Sequence, residues 1–182
     1  MSKPRRPRSE EQRADTARRA LRRAHRQVET GQHAQAYPAF KRLADSAARD
    51  GMPVRAALLY AQAARARVEM AAPGAHNAAW DAVALGQRAL RLLSGAGRTA
   101  QAHALLARML ELLESKRYYV QSVELRAEGT ALLGARTKVT LPQAALPFKC
   151  PGCNAPLRAD EVEWIDAQSA ACAYCGSIVQ AG

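Results

Sequence analysis

The chain has 182 residues, 48% of them apolar, which is enough for one ordinary domain with a core and a small module. It contains no run of about eighteen apolar residues, which excludes a transmembrane helix, and the opening MSKPRRPRSEEQ has no apolar stretch behind its basic residues, which argues against a secretory signal. A cytoplasmic protein without membrane partners is expected, and the excess of Arg (22) over Lys (5), with abundant Ala, associates with a GC-rich bacterial gene. The net charge of +11 is uneven: residues 1–30 carry +6, 31–70 carry +3, 71–140 carry +4, and 141–182 carry −2.

In chain order, residues 1–8 (MSKPRRPR) are basic and interrupted by proline, and read as a disordered arm. Ser9 with Glu10, Glu11 and Gln12 behind it is a helix start, a hydroxyl cap followed by acids in the first turn. That helix runs to about Thr30 and stops at Gly31, with a narrow apolar stripe at Ala17, Leu21, Ala24 and Val28 beside a dense arginine face. Further helices are expected near 33–49, 53–71, 77–94, 98–115 and 117–134, separated by ARDGMP, AAPGAHN and SGAG and closed by Gly134. In the fourth and fifth, apolar residues recur at three and four: Trp80, Val83, Leu85, Leu90 and Leu93, then Ala102, Leu105, Leu106, Met109, Leu110 and Leu113. Short connections between helices of similar length imply antiparallel neighbours. Residues 135–149, with two prolines, read as a linker with an extended piece around Lys138–Leu141.

One segment recurs. GQHAQAYPAFKRL at 31–43 aligns with GRTAQAHALLARM at 97–109, pairing Gly31, Ala36 and Phe40 with Gly97, Ala102 and Leu106. This resembles the second helix of a tetratricopeptide repeat, where a small residue admits a neighbouring helix and a large one fills the gap. The resemblance spans roughly residues 12–134 and implies a mainly α fold, an antiparallel array of helical hairpins over 9–134. The aromatic positions expected of the first helix in such a repeat are missing, and an irregular helical bundle is the alternative.

The four cysteines are spaced Cys150-x2-Cys153-x18-Cys172-x2-Cys175, inside the range of a four-cysteine zinc site. Both sulfurs of a Cys-x-x-Cys pair reach one metal only if the chain turns tightly between them. Pro151-Gly152 and Ala173-Tyr174 are short fillers for such turns. Gly176, and Asn154 at the equivalent place, tolerate the left-handed backbone that aims amides back at the sulfurs. Between the pairs, EVEWIDAQSAACAY alternates like a short β-hairpin, with Val162 and Trp164 on one face and Glu163 and Ile165 on the other. About 33 residues cannot bury enough surface to fold alone, so the expected cofactor is one structural Zn2+ whose binding energy becomes folding energy. Four thiolate ligands leave no position for a catalytic water. His25, His33, His76 and His103 all lie in the helical part and read as surface or packing residues. A rubredoxin-like iron site and a dithiol redox pair are the competing assignments. The first normally sits in a self-contained carrier richer in aromatics, and the second needs one pair beside a βαβ pattern that is absent here.

The module over 150–182 resembles a zinc ribbon, with KCPGCNAPL and CAYCGSIV as its two knuckles. It is also similar to half of a RING-type module, which implies an apolar partner-binding patch at the matching positions Pro151, Leu157, Trp164 and Tyr174. In that reading the chain is a ligase-like scaffold of a bacterial ubiquitin-like pathway, holding a ubiquitin-conjugating-type enzyme near a target. A RING needs eight ligands for two metals, and this chain has four. No self-contained active site stands out, so a protein–protein adaptor acting by proximity is expected. The mini-core of the ribbon competes for Val162, Trp164 and Ile165. The alternative function is nucleic-acid binding through Arg18, Arg19, Arg22, Arg23 and Arg26 on the first helix. Against it stands the acidity of the ribbon, at Asp160, Glu161, Glu163 and Asp166, and a solvated arginine face explains those arginines without a ligand.

Overall fold

A chain rich in Ala, Leu and Arg loses little side-chain entropy on forming helix, and the computed structural model is mainly helical. It describes residues 10–72, 74–134, 145–165 and 168–180. Six helices are followed by three short strands: α1 (Glu10–Glu29), α2 (His33–Arg49), α3 (Pro53–Glu69), α4 (His76–Gly95), α5 (Thr99–Ser115), α6 (Tyr119–Leu133), β1 (Glu163–Trp164), β2 (Ser169–Ala171) and β3 (Ile178–Gln180). The expected arm at 1–8, the Ser9 cap and the extended piece around Lys138–Leu141 lie outside the described residues.

The helices end where the glycines predict, through one device used four times. At the end of α1, Gly31 sits at φ +72°, its N–H donates to Val28 O at 3.1 Å, and the Gln32 N–H reaches back to Gln27 O at 2.7 Å. This is a Schellman closure, which satisfies carbonyls a helix end leaves free. The same pair of bonds closes α2 around Gly51, α4 around Gly97 and α5 around Arg117. Arg117 takes φ +64° with a side chain attached, a conformation that costs a non-glycine residue about 1 kcal/mol.

These closures mark a repeat larger than the one the sequence suggests. The bounds of α1 and α2 recur 66 residues later in α4 and α5 (Glu10 to His76, His33 to Thr99), and Pro53 of α3 recurs as Tyr119 of α6. The recurring unit is therefore three helices. Within it Ala36 and Ala102 are both fully buried, as are Leu59 and Leu125. Leu106 enters against Gly129, where a Cβ would stand 2.8 Å from its Cδ1.

Consecutive helices pack on each other, and α3 also meets α5 and α4 meets α6; α1, α3 and α5 all touch the cysteine module and Asp45 of α2 lies 3.7 Å from Arg88 of α4, so the helices form two layers, α1-α3-α5 and α2-α4-α6. At the centre, α3 buries nine residues, five of them alanines, and these short side chains let its neighbours approach closely on several sides. Trp80, expected in the apolar stripe of α4, is instead 42% exposed. The three strands form one antiparallel sheet in the order β1-β2-β3, with Trp164 opposite Ala170 and Ala170 opposite Val179. Ala170 and Val179 are buried on the inner face, as is Val162 just before β1, whereas Ile165 and Ile178 face out.

Candidate metal centre

Each cysteine pair forms a knuckle, and the two are built alike. In the first, Asn154 N–H donates to Cys150 O at 2.8 Å and Cys150 N–H to Ala155 O at 2.8 Å; in the second, Gly176 N–H donates to Cys172 O at 2.7 Å and Cys172 N–H to Ser177 O at 2.9 Å. Asn154 (φ +62°) and Gly176 (φ +74°) hold the left-handed positions that these turns require, as the sequence predicts. Gly152 has a different task. A Cβ there would stand 3.0 Å from Ser177 Cβ and 3.3 Å from Cys175 Sγ, so its bareness lets one knuckle close on the other.

The four sulfurs lie within 4.8 Å of one another, with Cys150–Cys175 at 3.6 Å and Cys153–Cys172 at 3.8 Å. A tetrahedron of thiolates about 2.3 Å from a central zinc has edges of about 3.8 Å, so the cluster has the dimensions and donor set for one such ion. The same separations are far beyond a disulfide bond of about 2.05 Å. Gly152 N–H points at Cys150 Sγ at 3.3 Å, and Ser177 Oγ lies 3.2 Å from Cys175 Sγ, donors that lower the cost of thiolate charge. Cys153 is pushed up by its hydrogen bond with Cys172 and then by that with Cys175, while Cys175 is pulled down, first by its hydrogen bond with Cys153.

The module is seated on the α1-α3-α5 layer. From α1, Arg22 Nε donates to Gly152 O at 2.6 Å, and Glu29 accepts from Lys149 at 2.5 Å and Asn154 at 3.2 Å. From α3, Gln62 donates to the Tyr174 hydroxyl at 3.1 Å. From α5, Gln101 donates to Glu161 O at 3.1 Å, while Arg108 pairs with Asp160 at 2.5 Å and Glu161 at 2.6 Å. Glu161 is 6% exposed; burial raises its carboxyl above the usual range, and the Arg108 guanidinium opposes that shift. Tyr174, also buried, is pushed well above the usual phenol range, first by burial and then by the Glu161 charge. Its ring meets His25 of α1 edge-on at 5.6 Å, and His25 meets Phe40 at 5.1 Å. Burial holds the His25 imidazole down at about 4, against an ordinary 6.5. A cavity of about 320 Å3 opens between α3, α5 and the module, with Arg108, Glu161 and Tyr174 in its wall.

The structure thus brings together all four expected metal ligands and divides the expected partner-binding set. Tyr174 (2% exposed) and Leu157 (9%) are buried, and the face of the module that bears Tyr174 is the one turned to the helices. Trp164 is half-buried, its Nε1 donating to Ala159 O at 3.0 Å, and Pro151 is exposed. Arg18, Arg19, Arg22, Arg23 and Arg26 are exposed on α1, with Arg22 tied to the module and Arg18 beside Asp15 at 3.8 Å. The acidity of Asp160 and Glu161 serves docking onto a basic array. Sequence reading passed over Arg108, Gln101 and Gln62; the one visible signal was an arginine inside the apolar run LLARMLELL.

Fold and site define a helical protein that carries a four-cysteine centre for one metal ion. No protein-family model, curated protein or solved structure matches the chain. Among the described residues, no helix is long and apolar enough to cross a membrane.

Proposed function

We propose that the protein is a protein–protein adaptor in which a metal-held module and a helical array present one rigid surface. The observation that carries this reading is a set of large apolar side chains turned outward on the module and at its entry: Ile178 at 63% exposed and Ile165 at 56%, with Phe148, just before the module and bonded to Leu157, at 80%. A module this small needs its apolar side chains for its own core, so three held in water point to a partner. Pro151 is exposed and is assigned to this surface, whereas Trp164, opposite Ala170 on the inner face of the sheet, stands on the other side from Ile165 and Ile178 and is left out of it. The ion assigned in this reading is zinc, whose tetrahedral shell four thiolates close without redox chemistry, with a rubredoxin-like iron as the competing ion. The burial of Ala36 and Ala102 at matching positions supports TPR-like packing of α2 and α5, within a recurring unit of three helices where a tetratricopeptide repeat has two. In the sharper form of the proposal, which rests on the RING resemblance, the surface receives a ubiquitin-conjugating-type enzyme of a bacterial, cytoplasmic ubiquitin-like pathway and acts by holding it near a target.

The test is affinity capture from native lysate at two salt concentrations, with wild type, Cys150→Ser and the triple variant Phe148→Ser/Ile165→Ser/Ile178→Ser, and metal content read on each. A defined protein held in both salts by wild type and lost by both variants is expected, with metal retained in the triple variant. Equal capture by the triple variant overturns the assignment. A second reading, nucleic-acid binding, is favoured by the exposed arginines of α1. It predicts retained material that washes off at high salt, ignores Cys150→Ser and disappears when Arg18, Arg19, Arg23 and Arg26 are replaced by Ala.

A further inference from the structure

The four cysteines of the centre are not equally sheltered. Cys150, Cys153 and Cys172 are at most 1% exposed, whereas Cys175 is half-buried. A cavity of about 350 Å3 opens against it, walled by Val54 and Arg55 at the start of α3, by Arg98 and Gln101 at the start of α5, and by the second knuckle. It reaches Cys175 and Cys172, and neither cysteine of the first knuckle lines it. Cys172 presents almost no surface, so a molecule entering the cavity meets Cys175 first.

The walls suit a reaction that develops negative charge. No side chain caps α3 or α5, and no acid stands in either first turn. The first bonded amides are those of Ala56, to Met52 O at 2.9 Å, and Ala102, to Arg98 O at 3.0 Å. Both helices therefore turn free N–H groups and the positive ends of their dipoles towards the cavity. Arg55 adds a buried Nε that has no acceptor, and Gln101 a buried Oε1 that has no donor. Offsetting the thiolate charge of the centre would account for the positive groups, but not for an opening that ends on one sulfur of four.

We propose that Cys175 is a modification site, the sulfur at which a small hydroperoxide admitted by this cavity oxidises the metal centre. A metal-bound thiol is deprotonated, and the thiolate is the nucleophile. The Cys175 sulfur takes one oxygen of the peroxide, the O–O bond breaks, and hydroxide leaves towards Arg55 and the helix ends, which stabilise its charge as it forms. The product is a sulfenic acid. Cys150 Sγ, 3.6 Å from Cys175 Sγ, attacks that sulfur and expels a second hydroxide, closing a Cys150–Cys175 disulfide. The peroxide has gained two electrons, one from each sulfur, and both hydroxides take protons from solvent. A disulfide between the knuckles removes two of the four ligands, so oxidation releases the metal. The inference rests on the metal centre and is independent of what the module binds.

Limiting hydrogen peroxide on the metal-loaded protein tests this, with dimedone to trap sulfenic acid, peptide mapping by mass spectrometry, and a chromogenic indicator for released metal. The first dimedone adduct is expected on Cys175. Without dimedone, the first disulfide is expected to be Cys150–Cys175, formed in step with metal release. Arg55→Gln should slow oxidation several-fold, and Val54→Phe, which narrows the cavity, should slow it too. Both side chains are only partly buried, so metal content and circular dichroism should be unchanged in both variants. In the chelated protein the four cysteines should react alike. Four results overturn the proposal: a first adduct on another cysteine or a first disulfide between another pair; wild-type oxidation rates in both variants; a metal-loaded centre untouched by peroxide that oxidises a free cysteine peptide; or the same preference for Cys175 after chelation, which means that local sequence and not the cavity selects it.

Discussion

The helical array and the cysteine module reach stability by different routes. The array closes six helices over its own core, with Phe40, Leu59, Leu90, Leu93, Leu113 and Leu125 fully or almost fully buried. The module has three strands of two or three residues each and a centre made of four sulfurs. It lacks the apolar area to pin itself, and it leans on a metal at one end and on Arg22, Gln62, Gln101 and Arg108 at the other. The difference shows why a buried polar junction persists in a protein that is otherwise packed with Ala and Leu: it fixes where the module sits as well as holding it there.

Removing the metal should separate the two regions most sharply. Cys172→Ser, or a strong chelator on wild type, takes away a centre whose binding is worth on the order of 10 kcal/mol. Amides of 150–157 and 170–180 should then exchange freely while α2 to α6 keep their helical circular dichroism. Breaking the junction comes next. Arg108→Ala leaves Glu161 buried without its partner and should cost about 3 kcal/mol in denaturant melts, and Glu161→Gln in the same chain should recover part of that loss.

Acid should act on the junction too. His25 has a folded pKa of about 4 against 6.5, so the unfolded chain binds its proton first as pH falls. Its contribution is fully present above pH 6.5 and is lost progressively between 6.5 and 4, about 3 kcal/mol in all. His25→Phe should flatten that part of a stability–pH profile, while the loss from thiolate protonation, seen in metal content, remains. The smallest effect lies wholly in the array. Arg117→Gly relieves a side chain from φ +64° and should raise stability by about 0.5–1 kcal/mol without touching metal content. If Arg117→Gly altered metal binding, the two regions would be more tightly coupled than the contacts imply.

What the sequence makes legible divides along the same line. Helix ends were readable because Gly31, Gly51 and Gly97 do a local job that only a left-handed residue does well. The knuckles were readable for the same reason, with Asn154 and Gly176 next to ligands of fixed spacing. Docking was not readable. Arg22 meets Gly152 across 130 residues, Gln62 meets Tyr174 across 112, and Arg108 meets Asp160 across 52, and such pairs leave no periodic trace. Tyr174 therefore looked like a free aromatic beside a knuckle, although its hydroxyl has partners on both sides of the junction. The three-helix period was hidden because only the α2–α5 pair keeps similar residues, while the α1–α4 pair exchanges arginines for leucines.

The central claim is that the metal-loaded module is fixed to the helices. Hydrogen exchange on the metal-loaded and chelated protein, read residue by residue, tests it most directly. The account predicts that, with metal, the amides of Cys150, Cys172 and Gly176 are protected as strongly as those around Gln62 and Arg108, and that chelation removes the protection of these three amides while the helical protection stays. Fast exchange in the module of the metal-loaded protein, beside protected helices, would contradict the account and make the module a freely tethered domain.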